Sequence, residues 1–311
     1  MNPLQKIGAF TAALAAAFGT AYGVGTALGP ADPRTTTAGH AESHSPEPAA
    51  KPPSGDLLPA GLQVSQDGYS LDLETTAVPA GKSSLRFVVR DADGDPVTRY
   101  ETAHGKQLHL IVASRELTTY RHLHPVRAAD GTWSTPVDLP AAGGYRVFAD
   151  FVPAAGSEGL TLGSDLSVTG PYRASPAPAP AATTTVDGYT VALEGTLAAG
   201  GESDLTFTVR RDGRPVTGLE PYLGAYGHLV ALRSGDLAYL HVHPHKEAEG
   251  DGTSGPEVSF AATAPSTGTY RLFLDFKVDG TVRTAAFTVR AGAAPAAGTG
   301  SGAHEETPHG H

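Results

Sequence analysis

Apolar and polar residues alternate along most of this chain with a period of two. Leu71-Asp72-Leu73 and Leu205-Thr206-Phe207-Thr208-Val209 are typical runs, and Asp-Gly, Gly-Gly and Pro-containing turns separate them. Successive side chains of a strand point to opposite faces, so the pattern predicts short, half-buried β-strands. No strong amphipathic helix is expected. The pattern is also written twice: DGYSLDLE, LRFVVRDADGDPVT, QLHLIVAS, YRHLHP and GGYRVFADF recur as DGYTVALE, LTFTVRRDGRPVT, YGHLVALR, YLHVHP and GTYRLFLDF. Strands at this spacing over about 100 residues predict an antiparallel immunoglobulin-like β-sandwich, and the repeat predicts two in tandem.

The segments between these runs set the expected domain organisation. Residues 60–170 and 186–290 are read as the two sandwiches. Residues 171–185 are a Pro/Ala linker whose alternating Pro favours an extended spacer. Residues 30–59, rich in Pro, Ala, Thr and Ser, are read as a flexible linker, and 291–311 as a disordered tail containing His. Ile7 to Gly29 carries no charge and is long enough to span a bilayer, which predicts an N-terminal transmembrane helix within residues 1–29. An uncleaved anchor is preferred to a cleaved signal segment, because signal peptides have shorter apolar runs. Lys6 precedes the span, so the bulk of the chain is expected outside the cytoplasm, attached to the membrane or, if the segment is cleaved, secreted.

Composition removes several function classes. A net charge of −10 lacks the basic footprint of a nucleic-acid binder, so no nucleic-acid partner is expected. The chain has no Cys, which excludes disulfides, thiolate nucleophiles, iron–sulfur clusters and blue-copper ligation. Met1 is the only Met, so a thioether site for Cu(I) is excluded too. Any transition metal must rest on His and carboxylate.

Three His recur at identical spacing in each copy: His109, His122 and His124, then His228, His241 and His243. Two His separated by one residue on a strand share a face. Two-residue turns at Arg115-Glu116 and Ser234-Gly235 would pair His109 with His122 and His228 with His241, letting the imidazoles of each copy converge. Such a triad suits Cu(II) or Zn(II), one ion per repeat. Asp150 and Asp275, in the recurring Tyr-Arg-x-Phe-x-Asp-Phe motif, are expected to complete or orient it, ahead of Glu101 and Glu220. For each Asp the alternative is a salt bridge to Arg146 or Arg271, and for the triads it is packing on a half-buried sheet face. His104 and His245 have no counterpart in the other copy and are read as exposed, with an auxiliary-ligand role as the alternative for His245.

The residues HLIV, then Tyr-x-His-x-His-Pro, then Gly-x-Tyr-Arg-x-Phe-x-Asp-Phe resemble a little-characterised family of exported bacterial β-sandwich proteins, some associated with heavy-metal or copper handling. The resemblance covers roughly residues 62 to 170 and 183 to 290. At fold level it extends to the extracytoplasmic metal-binding sandwiches of the CopC-like and YtkA-like kind, whose N-terminal His ligand and Met-rich motifs are absent here. It implies export, a β-sandwich and a link to copper. Together these readings predict a membrane-anchored extracytoplasmic protein that binds a divalent transition metal for buffering, delivery or sensing. No catalysis is expected, since no nucleophile elbow, P-loop or glycine fingerprint is present. The alternative is a non-catalytic cell-envelope interaction or structural module on a stalk; no protein partner is indicated.

Overall fold

The computed structural model describes residues 59–154, 159–240, 242–248, 250 and 252–293. They form strands and turns with no helix, the all-β class that the alternation predicts. The expected transmembrane helix, most of the first linker and most of the tail lie outside the described residues. Among those described, no helix is long and apolar enough to cross a membrane.

The first copy contains β1 (Ser65–Gln66), β2 (Tyr69–Leu73), β3 (Ala77–Pro79), β4 (Gly81–Arg90), β5 (Leu108–Ser114), β6 (Tyr120–Leu123), β7 (Val126–Arg127), β8 (Trp133–Leu139), β9 (Gly143–Phe151) and β10 (Leu160–Thr169). The second contains β11 (Thr183–Val186), β12 (Tyr189–Glu194), β13 (Ala198–Ala199), β14 (Glu202–Arg211), β15 (Arg214–Pro215), β16 (His228–Arg233), β17 (Val242–Pro244), β18 (Glu257–Thr263), β19 (Gly268–Val278) and β20 (Thr281–Ala293). Each copy builds two sheets. Their orders are β1-β2-β4-β8-β7 and β3-β10-β9-β5-β6 in the first, and β11-β12-β14-β18-β17 and β13-β20-β19-β16 in the second. Pairing is antiparallel except at β3–β10 and β13–β20.

Each pair of sheets encloses its own core, around Phe87, Trp133 and Tyr145 in the first copy and around Tyr189, Phe207 and Phe287 in the second. A third apolar cluster joins the copies. Ile111, Ala113, Leu117, Tyr120 and Phe148 of the first pack against Val230, Leu232, Leu237 and Phe273 of the second. The strand period explains this arrangement. On β5, Leu108, Leu110 and Val112 enter the first core, so His109, Ile111 and Ala113 must face the other way, into this seam. On β16, Leu229 and Ala231 enter the second core and His228, Val230 and Leu232 face the seam. Both sheets are covered on both faces, and accordingly β5 is buried along its whole length.

The entering chain also crosses the seam. Tyr239 N–H donates to Ala60 O at 2.9 Å, and Gly61 N–H to Thr161 O at 2.8 Å. Gly61 has φ +75°, and a Cβ there would stand 2.6 Å from the Phe148 ring, so no other residue fits this close approach.

The hairpin register differs from the sequence expectation. His122 pairs with Ile111 rather than His109, because the turn spans Arg115 to Thr119 and is closed by Ser114 N–H donating to Thr119 O. The same occurs in the second copy, where Leu232 bridges Tyr239 and Arg233 N–H donates to Ala238 O. The longer turns let Leu117 (φ +56°) and Leu237 (φ +65°) drop into the seam, and burial of the two side chains offsets the backbone strain. A slip of two residues keeps every side chain on its expected face. The predicted face was therefore correct although the predicted partner was not.

Candidate functional site

The seam brings His109 and His122 of the first copy together with His228 of the second. His109, His122 and His228 each offer a ring nitrogen, and these atoms all lie within 4.8 Å of one another. This differs from the expectation of one separate triad per repeat. β5 and β6 present His109 and His122 on the seam face of the first sandwich, and β16 presents His228 from the second. Ring centroids are 5.3 Å apart for His109–His122, 5.6 Å for His109–His228 and 4.9 Å for His122–His228.

Hydrogen bonds assign the ring nitrogens. His109 Nε2 lies 3.2 Å from Ala103 O, and His122 Nδ1 lies 2.8 Å from Asp275 Oδ2. A carbonyl and a carboxylate only accept, so both of these nitrogens carry hydrogen and donate. The remaining nitrogens, His109 Nδ1 and His122 Nε2, then face each other at 3.1 Å. Two lone pairs at that distance repel unless a proton or a cation lies between them. Two imidazoles on one tetrahedral ion, with metal–nitrogen bonds of about 2.0–2.1 Å, hold their nitrogens about 3.3 Å apart. A shared proton would satisfy this pair alone; a metal ion would satisfy it together with His228.

Asp275 is placed as an orienting group. It stands directly opposite His228 in the β16–β19 register, yet its Oδ2 reaches across the seam to His122, while Oδ1 accepts from Thr284 Oγ1 at 2.5 Å. Asp150 is its counterpart in the first copy: it stands opposite His109 on β5–β9 and accepts from Thr161 Oγ1 at 3.1 Å. Among the described residues, the salt bridges considered for these Asp are not formed, and the two Arg side chains have other partners. Arg146 pairs with Asp165 and donates to Gly61 O, and Arg271 donates to Leu117 O and Thr288 Oγ1. Glu220 pairs with Lys277 at 3.0 Å.

His124 lies beside the triad, its ring 4.9 Å from that of His122 and 5.3 Å from that of His109. Its Nε2 is buried without a hydrogen-bond partner. His243 is exposed on β17, which pairs with β18 in the other sheet of its sandwich, and it lines a cleft of about 160 Å³ with His104, Asp150 and His228. His241 lies outside the described residues. His245 Nε2 lies 3.1 Å from Asp204 Oδ1. His104 is exposed, as expected, but its ring stands 5.9 Å from that of His228, a proximity the repeat alignment does not reveal.

Burial favours the neutral imidazoles that a metal requires. It pushes His109 down to about 3, with neighbouring His122 adding to the effect and the bond to Ala103 opposing it. His124 is lowered to about 4 by burial, then by His122 and Lys106. His228 is held well below the ordinary imidazole range, again chiefly by burial, then by His122 and His109.

Comparison with known proteins gives a family without a described activity. A search of the curated proteins finds no match. Among solved structures, a DUF4426 family protein from Pseudomonas aeruginosa has 9% identity and a TM-score of 0.25, covering 35% of this chain and 94% of that one. InvD of Yersinia pseudotuberculosis has 15% identity and a TM-score of 0.22, covering 74% and 59%. Invasin, a bacterial integrin-binding protein, has 14% identity and a TM-score of 0.22, covering 74% and 41%. Scores this low carry no argument about function. The family match is of another order, since it falls on both repeats and on all three clustered His. With residues 63–161 and 184–293 each matching it, the chain belongs to the family of the domain of unknown function DUF8832, which it carries twice.

Proposed function

We propose that this protein binds one divalent transition metal ion, copper(II) or zinc(II), in the seam between its two immunoglobulin-like sandwiches, through His109, His122 and His228. The observation that carries this reading is the pair of inward-facing nitrogens, His109 Nδ1 and His122 Nε2, 3.1 Å apart with both outer nitrogens already committed as donors. The donor set fits such an ion: imidazole suits copper and zinc, and a carboxylate on the far nitrogen of a ligand His is the usual supporting partner. Closing the set from its 4.8 Å spread to ligand spacing requires a shift of about 1.5 Å or less. The role is buffering, delivery or sensing outside the cytoplasm, with the chain held at the membrane by its N-terminal segment, and without catalysis.

The test is elemental analysis after loading with Cu²⁺ or Zn²⁺ and desalting. The full chain is used with His40, His44, His304, His309 and His311 replaced by Ala, so that the terminal segments do not contribute. One ion per chain is expected. Two would restore independent sites in each repeat, and none would leave the His cluster as packing and the protein as a stalked interaction module.

A further inference from the structure

We infer that His124 supplies the fourth ligand of this centre and closes it against water and added ligands. The inference rests on the metal reading above and deepens it, because a closed site holds an ion whereas an open one can activate water.

Two independent observations support it. The first is the buried Nε2 of His124, which has no hydrogen-bond partner although its ring is packed among other imidazoles. Leaving a buried nitrogen without a partner is costly, and a metal bond would satisfy it. The second is spacing. Four imidazoles on one tetrahedral ion place their ring centroids about 5.2 Å apart, given a metal–nitrogen bond of about 2.05 Å and the size of the ring. The distances from His124 to His122 and His109, 4.9 and 5.3 Å, lie on either side of that value, while its nitrogens lie outside the 4.8 Å set formed by the other three, so ligation requires its ring to move inward. The 5.3, 4.9 and 5.6 Å distances among the three other rings lie on either side of the same value.

His104 is the competing candidate, and it fits less well. Its rings stand further off, 6.2 Å from His109 and 5.9 Å from His228, and it is exposed in the loop before β5. His124 lies two residues beyond His122 on the same side of the chain, with the Tyr222 ring 6.3 Å away on its other flank. The resulting ligand set takes three imidazoles from the first sandwich and one from the second, so release of the ion requires loosening of the seam.

Cobalt(II) tests this, because its visible bands report coordination number and respond to an added ligand at a vacant position. The full chain with the five terminal His replaced by Ala is loaded with Co²⁺ and titrated with thiocyanate. With His124 present, strong four-coordinate bands that do not shift are expected. With His124→Ala, Co²⁺ should bind roughly 10- to 100-fold more weakly and its bands should shift on adding thiocyanate. Bands that shift while His124 is present would overturn the inference and leave the three-His reading standing, and this arm needs no variant to fold. Affinity and bands unchanged in His124→Ala would overturn it as well. A chain that takes up no cobalt removes the metal reading itself.

Discussion

His122 of the first sandwich donates to Asp275 of the second at 2.8 Å, and both side chains are nearly sealed from solvent, at 3% and 2% exposure. This bond joins the repeats at their chemical centre and fixes His122 with Nδ1 protonated and Nε2 free to bind. Asp275→Asn keeps an acceptor but removes the charge that raises the basicity of the ring. Metal affinity should fall roughly 10- to 100-fold while the fold persists. A competition titration against a chromophoric chelator measures this; unchanged affinity would mean that Asp275 serves the seam and not the ion.

The shared site makes a prediction that two independent sites would not. His228→Ala removes the second sandwich's ligand from the cluster, so the single ion of the whole chain should be held more weakly, with no site left at its original affinity. Were each repeat to bind by itself, the same substitution would leave the first copy's ion in place. A competition titration on the full chain, with the terminal His replaced, separates the two: a shared site loses affinity throughout, whereas independent sites leave one ion at unchanged affinity. The unsubstituted protein should also gain stability with excess metal and lose it on chelation, because the ion binds the folded state.

Much of this was legible in the sequence. The alternation gave the strand class, the repeat gave two copies, and Asp-Gly and Gly-Gly marked turns. His109, His122 and His228 were named because their spacing survived duplication. Their assembly into one site was not legible from spacing, because it depends on how the two sandwiches pack. One signal pointed to it. The runs HLIVAS and HLVALR do not alternate, and a strand apolar on both faces must be covered on both. The register error arose from treating Arg115-Glu116 as a complete turn, when Leu117 is drawn into the seam at a positive φ.

Acid should weaken the metal-free protein over a defined range. Burial lowers His109 to about 3 and His124 to about 4 in the folded state, whereas in the unfolded chain both titrate near 6.5. Between these values the unfolded state binds more protons, so stability rises with pH there. The contribution is fully present above about 6.5 and is lost progressively as pH falls toward 4 and then 3. Urea melts of the chelator-treated protein at pH 7.5, 6, 5 and 4 should show this decline. His109→Gln should flatten it; an equally steep decline in that variant would assign the effect to other groups.

The packing beneath the site should govern the site. Tyr120 and Phe273 stack across the seam with ring centroids 4.0 Å apart and planes 6° from parallel. Each lies two residues before a member of the central bond, Tyr120 before His122 and Phe273 before Asp275, on the same strand face. Phe273→Ala opens a cavity in this buried contact and should cost about 3–5 kcal/mol in urea unfolding. It should also loosen the register of His122 against Asp275 and lower metal affinity in the folded fraction, while Phe273→Leu, which fills more of the space, should lower both less. If stability fell as expected but metal affinity stayed unchanged under folding conditions, the stack would hold the sandwiches together without setting the geometry of the ligands. The imidazoles would then be positioned by their own strands alone, through the β5–β9 and β16–β19 pairings that set His109 opposite Asp150 and His228 opposite Asp275.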